Sequence, residues 1–287
     1  MKILNTLSKA AALAALHVAT VAHAGLVNDV PSCYGAFHLA AAPQQPARVV
    51  YVLIDQTVLL DQSLRQSVLD NVDRMIQPGA KFVIAEFSAF AQAHYLKVLH
   101  TGYVEQPLPE DAYNTVPITK APQIKACFGQ QLAFARKMAA TTTQQAMNES
   151  TSTLNASEIM AALDELGQAV RSDTASDKVL FVVTDGLENS RTTSFYARGG
   201  VRDINPSAEL AKARANGMFA DLGGAKIYVL GGAVMPPSTS GTQSLRDGYR
   251  DSKTIHDLHT FWQGYFESSH AHLVEFGAPS LVTPVSY

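Results

Sequence analysis

Residues 49–57 read VVYVLIDQT, an uninterrupted apolar run that ends abruptly in Asp55. A run of this kind, without the alternation of a half-exposed strand, is typical of a parallel strand buried on both faces. Three further stretches have the same character: KFVIAEF at 81–87, KVLFVVT at 178–184 and AKIYVL at 225–230. Because ligands bind beyond the carboxyl ends of strands in open α/β sheets, we expect a site where these runs end.

Helical patterns separate the apolar runs. Asp61 is a suitable N-cap for a helix that Pro78 and Gly79 stop. Further helices are predicted over 123–147, 159–170, 207–222 and 252–269, with a more exposed strand over 95–104 and a short last strand over 273–276. This alternation predicts an α/β fold, a doubly wound, mostly parallel sheet with helices on both faces. We take 48–277 as one domain, preceded by an irregular extension (25–47) and followed by a C-terminal tail (278–287).

The overall composition excludes two broad classes of protein. The chain has 287 residues, with 22 Lys and Arg against 25 Asp and Glu, which gives a formal net charge of −3. That balance lacks the basic excess of a general nucleic-acid binder. Hydrophobic residues make up 47% and charged residues 16%, so the chain can fill a core and is not a disordered one.

The first 24 residues have the composition of a secretory signal peptide. Lys2 and Lys9 precede a short Ala-, Leu- and Val-rich run, and the segment ends in Ala22-His23-Ala24. We expect cleavage after Ala24 and an exported protein, periplasmic or secreted. No later segment is long and apolar enough to span a bilayer.

Export changes the interpretation of the two cysteines. In an oxidising compartment Cys33 and Cys127 are expected to pair, which would attach the extension to a helix of the domain. The alternative is two buried thiols that never meet.

Polar residues follow three of the apolar runs. Asp55-Gln56-Thr57 ends the run that begins at 49, Ser88 follows the run at 81–87 and Asp185-Gly186 the run at 178–184, while Ser157 precedes the helix at 159–170. Carboxylates and hydroxyls meeting at one sheet edge are hard oxygen ligands, which suit Mg²⁺. The simpler alternative is that each Asp caps the turn that follows its strand.

The order of these segments resembles the von Willebrand factor type A domain. The resemblance rests on DQT after the first strand, FS after the second, the helix SEIMAAL and the strand VLFVVTDG, and it covers roughly 48–277. It implies the family's strand order, with one antiparallel edge strand, and a metal-ion-dependent adhesion site. Transferred by position, Asp55, Thr57, Ser157 and Asp185 would be the metal ligands.

One position departs from the family pattern. Leu59 stands where a second ligating Ser is expected, so the site is degenerate and would hold Mg²⁺ or another divalent cation weakly. The segment 187–196 replaces a usually short connection. The polar loop 187–206 would carry much of the contact with an unidentified protein partner. We predict partner contacts at Ser88, Asn189, Ser190 and Arg191. Positive charge at Arg191, Arg198 and Arg202 indicates either an acidic partner or a solvated loop.

The sequence therefore favours an exported protein-binding or adhesion-type module, and not an enzyme. A second hypothesis is a phosphatase, because residues 54–59 also resemble the strand-end motif of haloacid-dehalogenase-type enzymes, with Asp55 as nucleophile. The general acid of that motif would fall on Thr57, which cannot act as one at neutral pH. A third hypothesis is an exported scaffold whose site has decayed.

Overall fold

The computed structural model describes residues 28–39, 45–91, 94–151, 154, 156–197, 200–234 and 251–285. Within these ranges there are six helices: α1 (Cys33–Phe37), α2 (Gln62–Met75), α3 (Ala121–Glu149), α4 (Ile159–Ser172), α5 (Pro206–Ala215) and α6 (Ser252–Ser268). The strands are β1 (Arg48–Asp55), β2 (Ala80–Ala91), β3 (His94–Tyr103), β4 (Asp177–Val183), β5 (Tyr196–Ala197), β6 (Gly200–Val201), β7 (Lys226–Leu230) and β8 (His272–Gly277). A 3-10 helix covers Glu110–Thr115.

Six of the strands form one sheet in the order β3-β2-β1-β4-β7-β8. β3 lies at one edge and runs antiparallel to β2, whereas the other neighbours pair in parallel. The predicted α/β class, the mostly parallel sheet and the antiparallel edge strand are confirmed.

Two apolar cores cover the two faces of this sheet. Side chains alternate along β1, so that Tyr51 and Leu53 pack toward α4 and α6 while Val52 and Ile54 pack toward α2 and α3. Both faces are therefore buried, which explains why the strand sequences are continuously apolar.

The parallel register brings the strand ends to one edge of the sheet. Asp55 lies opposite Phe87 of β2, and Ile54 lies opposite Val183 of β4. Residues that follow β1 and β4 are therefore close neighbours of Phe87 and Ser88 in β2, and sites in open α/β sheets lie at such an edge.

The structure differs from the predicted elements in β2, in α5 and in the segment before α5. β2 continues to Ala91, past the predicted residue 87, so Ser88 lies inside the strand. α5 ends at Ala215, well before the predicted residue 222, because Asn216 caps it and Gly217 takes a positive φ of 64°. The segment expected to be a polar loop contains a small hairpin, in which Tyr196 pairs with Val201.

The predicted disulfide between Cys33 and Cys127 is confirmed. It joins α1 to α3 across 94 residues of sequence. Tyr34 and Phe128 pack edge to face beside it, in a small apolar cluster separate from the two main cores. The extension, expected to be irregular, therefore contains a short helix that is cross-linked to the domain.

Residues outside the sheet form hydrogen bonds with several backbone groups of β3. The Asp29 amide donates to the Thr101 carbonyl at 3.0 Å, and the Tyr103 amide donates to Asn28 Oδ1 at 3.0 Å. Near the other end of the strand, the Tyr95 amide donates to Glu165 Oε2 of α4 at 2.8 Å.

The predicted signal peptide, residues 1–24, lies outside the described residues, so its cleavage stays a prediction. Among the helices that the structure describes, none has the length and apolar character needed to cross a membrane.

Candidate functional site

Asp55 is the centre of a hydrogen-bonded cluster at the carboxyl edge of the sheet. It is only 1% exposed, and both of its carboxylate oxygens accept hydrogen bonds. Thr57 donates to Oδ1 through its hydroxyl at 2.6 Å and its amide at 2.9 Å. The hydroxyls of Ser157 and Thr184 donate to Oδ2 at 2.9 and 2.7 Å. One carboxyl group thus ties together β1, the end of β4 and the segment before α4.

Burial and hydrogen bonding act in opposite directions on this carboxyl group. Removal from water raises the pKa of Asp55 above its usual range. The hydrogen bonds from Thr57, Thr184 and Ser157 favour the charged form and limit the rise. The hydroxyl donors are therefore what makes a buried carboxylate tolerable at this position.

The end of α3 lies against the turn that follows β1. The Thr151 amide donates to the Gln56 carbonyl at 2.8 Å, and the Gln56 side chain donates to the Ala146 carbonyl at 3.0 Å. These contacts attach the end of α3 to the residues beside Asp55.

The remaining predicted site residues lie around this cluster. Asp185 follows Thr184, and its Oδ1 accepts from the Leu187 amide at 2.9 Å in the turn that Gly186 makes with a positive φ of 74°. The Ser88 carbonyl accepts from the Glu158 amide at 3.0 Å, which places the end of β2 beside the start of α4. The structure thus brings Asp55, Thr57 and Ser157 into direct contact and places Asp185 and Ser88 at the same edge.

The oxygen atoms of the cluster fit a divalent cation in type but not in number. The hydroxyls of Thr57 and Ser157 donate their protons to Asp55 and keep lone pairs that could ligate Mg²⁺, as could the Asp185 carboxylate. Leu59 offers no oxygen, and its side chain is 44% exposed. Waters would therefore have to complete an octahedral set.

The β4–α5 loop, residues 187–205, lies against the cluster through Asn189. The amide and carbonyl of Asn189 exchange two hydrogen bonds with Ser157, at 2.9 and 3.1 Å. The Ser190 hydroxyl is half-buried and accepts from the Thr192 amide at 3.3 Å, whereas Arg191 is exposed. Of the predicted partner contacts on this loop, Arg191 is thus the most accessible to another protein.

Arg202, expected on an accessible basic rim, points inward instead. Its guanidinium pairs with the buried carboxylate of Glu209 at 2.9 Å and donates to the Ser194 carbonyl at 2.6 Å. Glu209 also binds Lys212 of the same helix at 3.0 Å and accepts from the Thr193 hydroxyl at 2.6 Å. Arg202 therefore fastens the loop to α5, and the expected basic rim is smaller than the sequence indicated.

Sequence reasoning missed two members of the site. Thr184 is the last residue of an apolar run, so it was counted with the strand although its hydroxyl donates to Asp55. Glu188 lies in the predicted polar loop, but its side chain is completely buried at the first turn of α4. A Thr directly before a strand-end Asp is the signal that could have found the first, and nothing in the local sequence marks the second as buried.

The same geometry bears on the phosphatase hypothesis. A nucleophilic carboxylate must present a free lone pair to its substrate. Asp55 is buried, and four donors occupy its two oxygens. In the part of the chain that the structure describes, no three His, Cys, Asp or Glu side chains are grouped closely enough to hold a metal ion between them.

The strand order and the position of β3 are those implied by the resemblance noted above. The fold thus resembles that of a von Willebrand factor type A domain. Similar solved structures include a von Willebrand factor type A domain from Catenulispora acidiphila, at 13% identity over 77% of this chain and 42% of that one, with a TM-score of 0.32. No protein-family model and no curated protein matches the chain.

Two other similar structures are those of a minor pilin and of a membrane protein. A mutant of the PilB minor pilin from Streptococcus sanguinis is 12% identical over 80% of this chain and 63% of the pilin, with a TM-score of 0.37. An aerotolerance-related membrane protein from Bacteroides fragilis, with multiple mutations to serines, is 11% identical over 80% of this chain and 92% of that one, at 0.36. This chain spans less than two thirds of the pilin and of the Catenulispora protein. Likeness at these identities and TM-scores supports no conclusion about activity.

Proposed function

We propose that the protein is an exported protein-binding module that contacts its partner through the loops at the carboxyl edge of the sheet. The Asp55 cluster supports this proposal, because a rigid, hydrogen-bonded base holds the residues after β1, β4 and α3 in one surface. Leu59 and Arg191 are exposed on that surface and are available for contact. Export rests on the N-terminal composition and is consistent with the disulfide.

A weak divalent cation is part of the proposal. Thr57, Ser157, Asp55 and Asp185 would hold it, and the cation would supply positive charge for an acidic group of the partner. Calorimetric titration of Mg²⁺ and Mn²⁺ tests this directly. Leu59→Ser should strengthen binding by restoring a hydroxyl, and Asp185→Ala should abolish it. If neither wild type nor Leu59→Ser binds either metal, the cation is excluded and only a metal-independent surface is left.

Partner binding is tested by comparing two exposed apolar positions. Leu59 lies beside the Asp55 cluster and is 44% exposed, whereas Phe134 lies on α3 and is 46% exposed. An envelope fraction should yield a bound protein with wild type and with Phe134→Arg, but not with Leu59→Arg. Equal recovery with both variants would contradict the proposed surface. Recovery of no protein by wild type would favour the decayed scaffold.

Intact-mass measurement of protein from the periplasm or the medium tests export. The expected mass lacks residues 1–24, and the full-length mass would contradict cleavage. Release of phosphate from a generic phosphomonoester, abolished by Asp55→Asn, would revive the phosphatase hypothesis.

A further inference from the structure

Glu188 is a completely buried carboxyl group at the point where the β4–α5 loop meets α4. Its Oε2 accepts a hydrogen bond from the Met160 amide in the first turn of that helix, at 3.0 Å. Its Oε1 is buried and has no hydrogen-bond partner in the part of the chain that the structure describes. The Met160 and Ile159 amides and the Ser190 hydroxyl favour the charged form, but they compensate only in part for the burial of a negative charge.

The charged group with a resolved effect on this carboxyl group is itself acidic. The titratable groups that act on it or respond to it are Glu158, before α4, and Tyr265 of α6. Both are acids, so neither stabilises an ionised Glu188. The amide groups at the start of α4 favour the charge only in part.

The position of Glu188 connects it to both the loop and the Asp55 cluster. Its carbonyl accepts from the Phe195 amide at 2.8 Å, which folds the loop back on itself. The next residue, Asn189, exchanges two backbone hydrogen bonds with Ser157, a donor to Asp55. A change in the charge of Glu188 should therefore alter the hydrogen bonds by which the loop contacts the site.

We propose that Glu188 is a proton-dependent latch, a positioning residue that holds the β4–α5 loop against α4 when neutral and weakens that attachment when ionised. Neutral Glu188 is stable in the buried site. Ionised Glu188 has a lower free energy when the loop opens and water reaches the carboxylate. The effect on a partner rests on the proposed function, but the latch itself belongs to the fold and can be tested without any partner.

The pH range of the latch follows from its burial. Burial raises the pKa of Glu188 to about 8 from an ordinary value of 4.5, the charge on Glu158 adds to the rise, and the Ser190 hydroxyl and the Met160 and Ile159 amides oppose it. With the loop open, the carboxyl is in water and titrates near 4.5. The open population should therefore rise by up to about tenfold per pH unit between these values and level off above them.

Amide hydrogen exchange measures this opening in the full, oxidised chain. After correction for the intrinsic rate, protection of the Asn189 and Phe195 amides should fall by about 100-fold or more from pH 5 to pH 8 in wild type and stay constant in Glu188→Gln. The exposed Glu110→Gln is the matched control and should behave as wild type. The Val104 amide, which donates to the Ala80 carbonyl on the opposite side of the sheet, should keep its protection throughout.

Equal pH dependence in wild type and Glu188→Gln would overturn the latch. If Glu188→Gln does not fold, a ¹³C titration of the Glu188 carboxyl in wild type decides the matter. A midpoint of about 7 or above supports the latch, and a midpoint below about 6 overturns it. A failure of the metal or partner experiments leaves these readings unchanged, so the two proposals fail separately.

Discussion

Removing one hydroxyl from the Asp55 cluster should lower the free energy of unfolding more than removing a hydroxyl of the same kind elsewhere in the core. Thr184→Val keeps the side-chain shape but deletes the donor at 2.7 Å from Asp55 Oδ2 and the acceptor of the Gly186 amide at 3.2 Å. A hydrogen bond to a charged group contributes about 1.5–3 kcal/mol, and one between neutral groups about 1 kcal/mol. We therefore expect a loss of about 3 kcal/mol in the free energy of unfolding.

The chain offers a matched control in α3. Thr143 is fully buried, and its hydroxyl has no hydrogen-bond partner among the described residues. Thr143→Val removes a buried polar group that nothing satisfies, so stability should stay unchanged or rise by up to about 1 kcal/mol. Urea unfolding of the oxidised proteins at pH 7, followed by circular dichroism, gives both values. The reasoning is refuted if Thr184→Val costs no more than Thr143→Val.

Three further outcomes are expected. Replacing Cys33 and Cys127 together by Ala should lower stability by up to about 4–5 kcal/mol on the chain-entropy model, measured by urea unfolding against the oxidised wild type. The free energy of unfolding of wild type, relative to that of Glu188→Gln, should be greatest below pH 4.5. It should fall by at most about 5 kcal/mol up to about pH 8. A constant difference between the two proteins in urea unfolding at several pH values would refute this. Glu209→Gln should cost about 3 kcal/mol at pH 7 by leaving the Arg202 charge without its partner, and thermal melts that match wild type would contradict it.

The pH dependence at Glu209 has the opposite sign from that at Glu188. Burial acts to raise the pKa of Glu209, but the hydrogen bonds from Thr193, Lys212 and Arg202 outweigh it and hold the pKa below its usual range. Its contribution is therefore present above the ordinary value of 4.5 and is lost as the pH falls through the lowered one. Acid should release the loop from α5 while it tightens the attachment at α4.

The sheet was predictable from sequence because its strands are buried on both faces. Continuous apolar runs such as 49–54 have few alternatives in an α/β chain, and the helices between them force parallel neighbours. The family resemblance predicted the antiparallel edge strand and the strand order, because the composition of β3 indicates neither. α5 was predicted too long, although Asn216 and Gly217 carry the stop signal that the structure uses.

The site was only partly predictable, because hydrogen-bond partners depend on side-chain direction across distant segments. Asp55 and Ser157 are 102 residues apart, and position in a family motif was the only sequence signal that joined them. The burial of Glu188 depends on how the β4–α5 loop folds back on α4, which no short pattern encodes. An arginine in a polar loop is expected to be exposed, but pairing with Glu209 leaves the Arg202 side chain only 24% exposed, so the sequence overestimated the basic surface.

The backbone contacts of Asn28 and Asp29 along β3 have a consequence for how copies of this protein meet. A strand at the border of a sheet is a template on which another chain can add its own strand, and covering it prevents self-association. Here the cover is continuous with α1, which the Cys33–Cys127 bond fixes to α3. In a reduced chain that anchor is lost, and the border beside Thr101 and Tyr103 becomes easier to reach. The disulfide would thus help to prevent neighbouring molecules from associating edge to edge through β3.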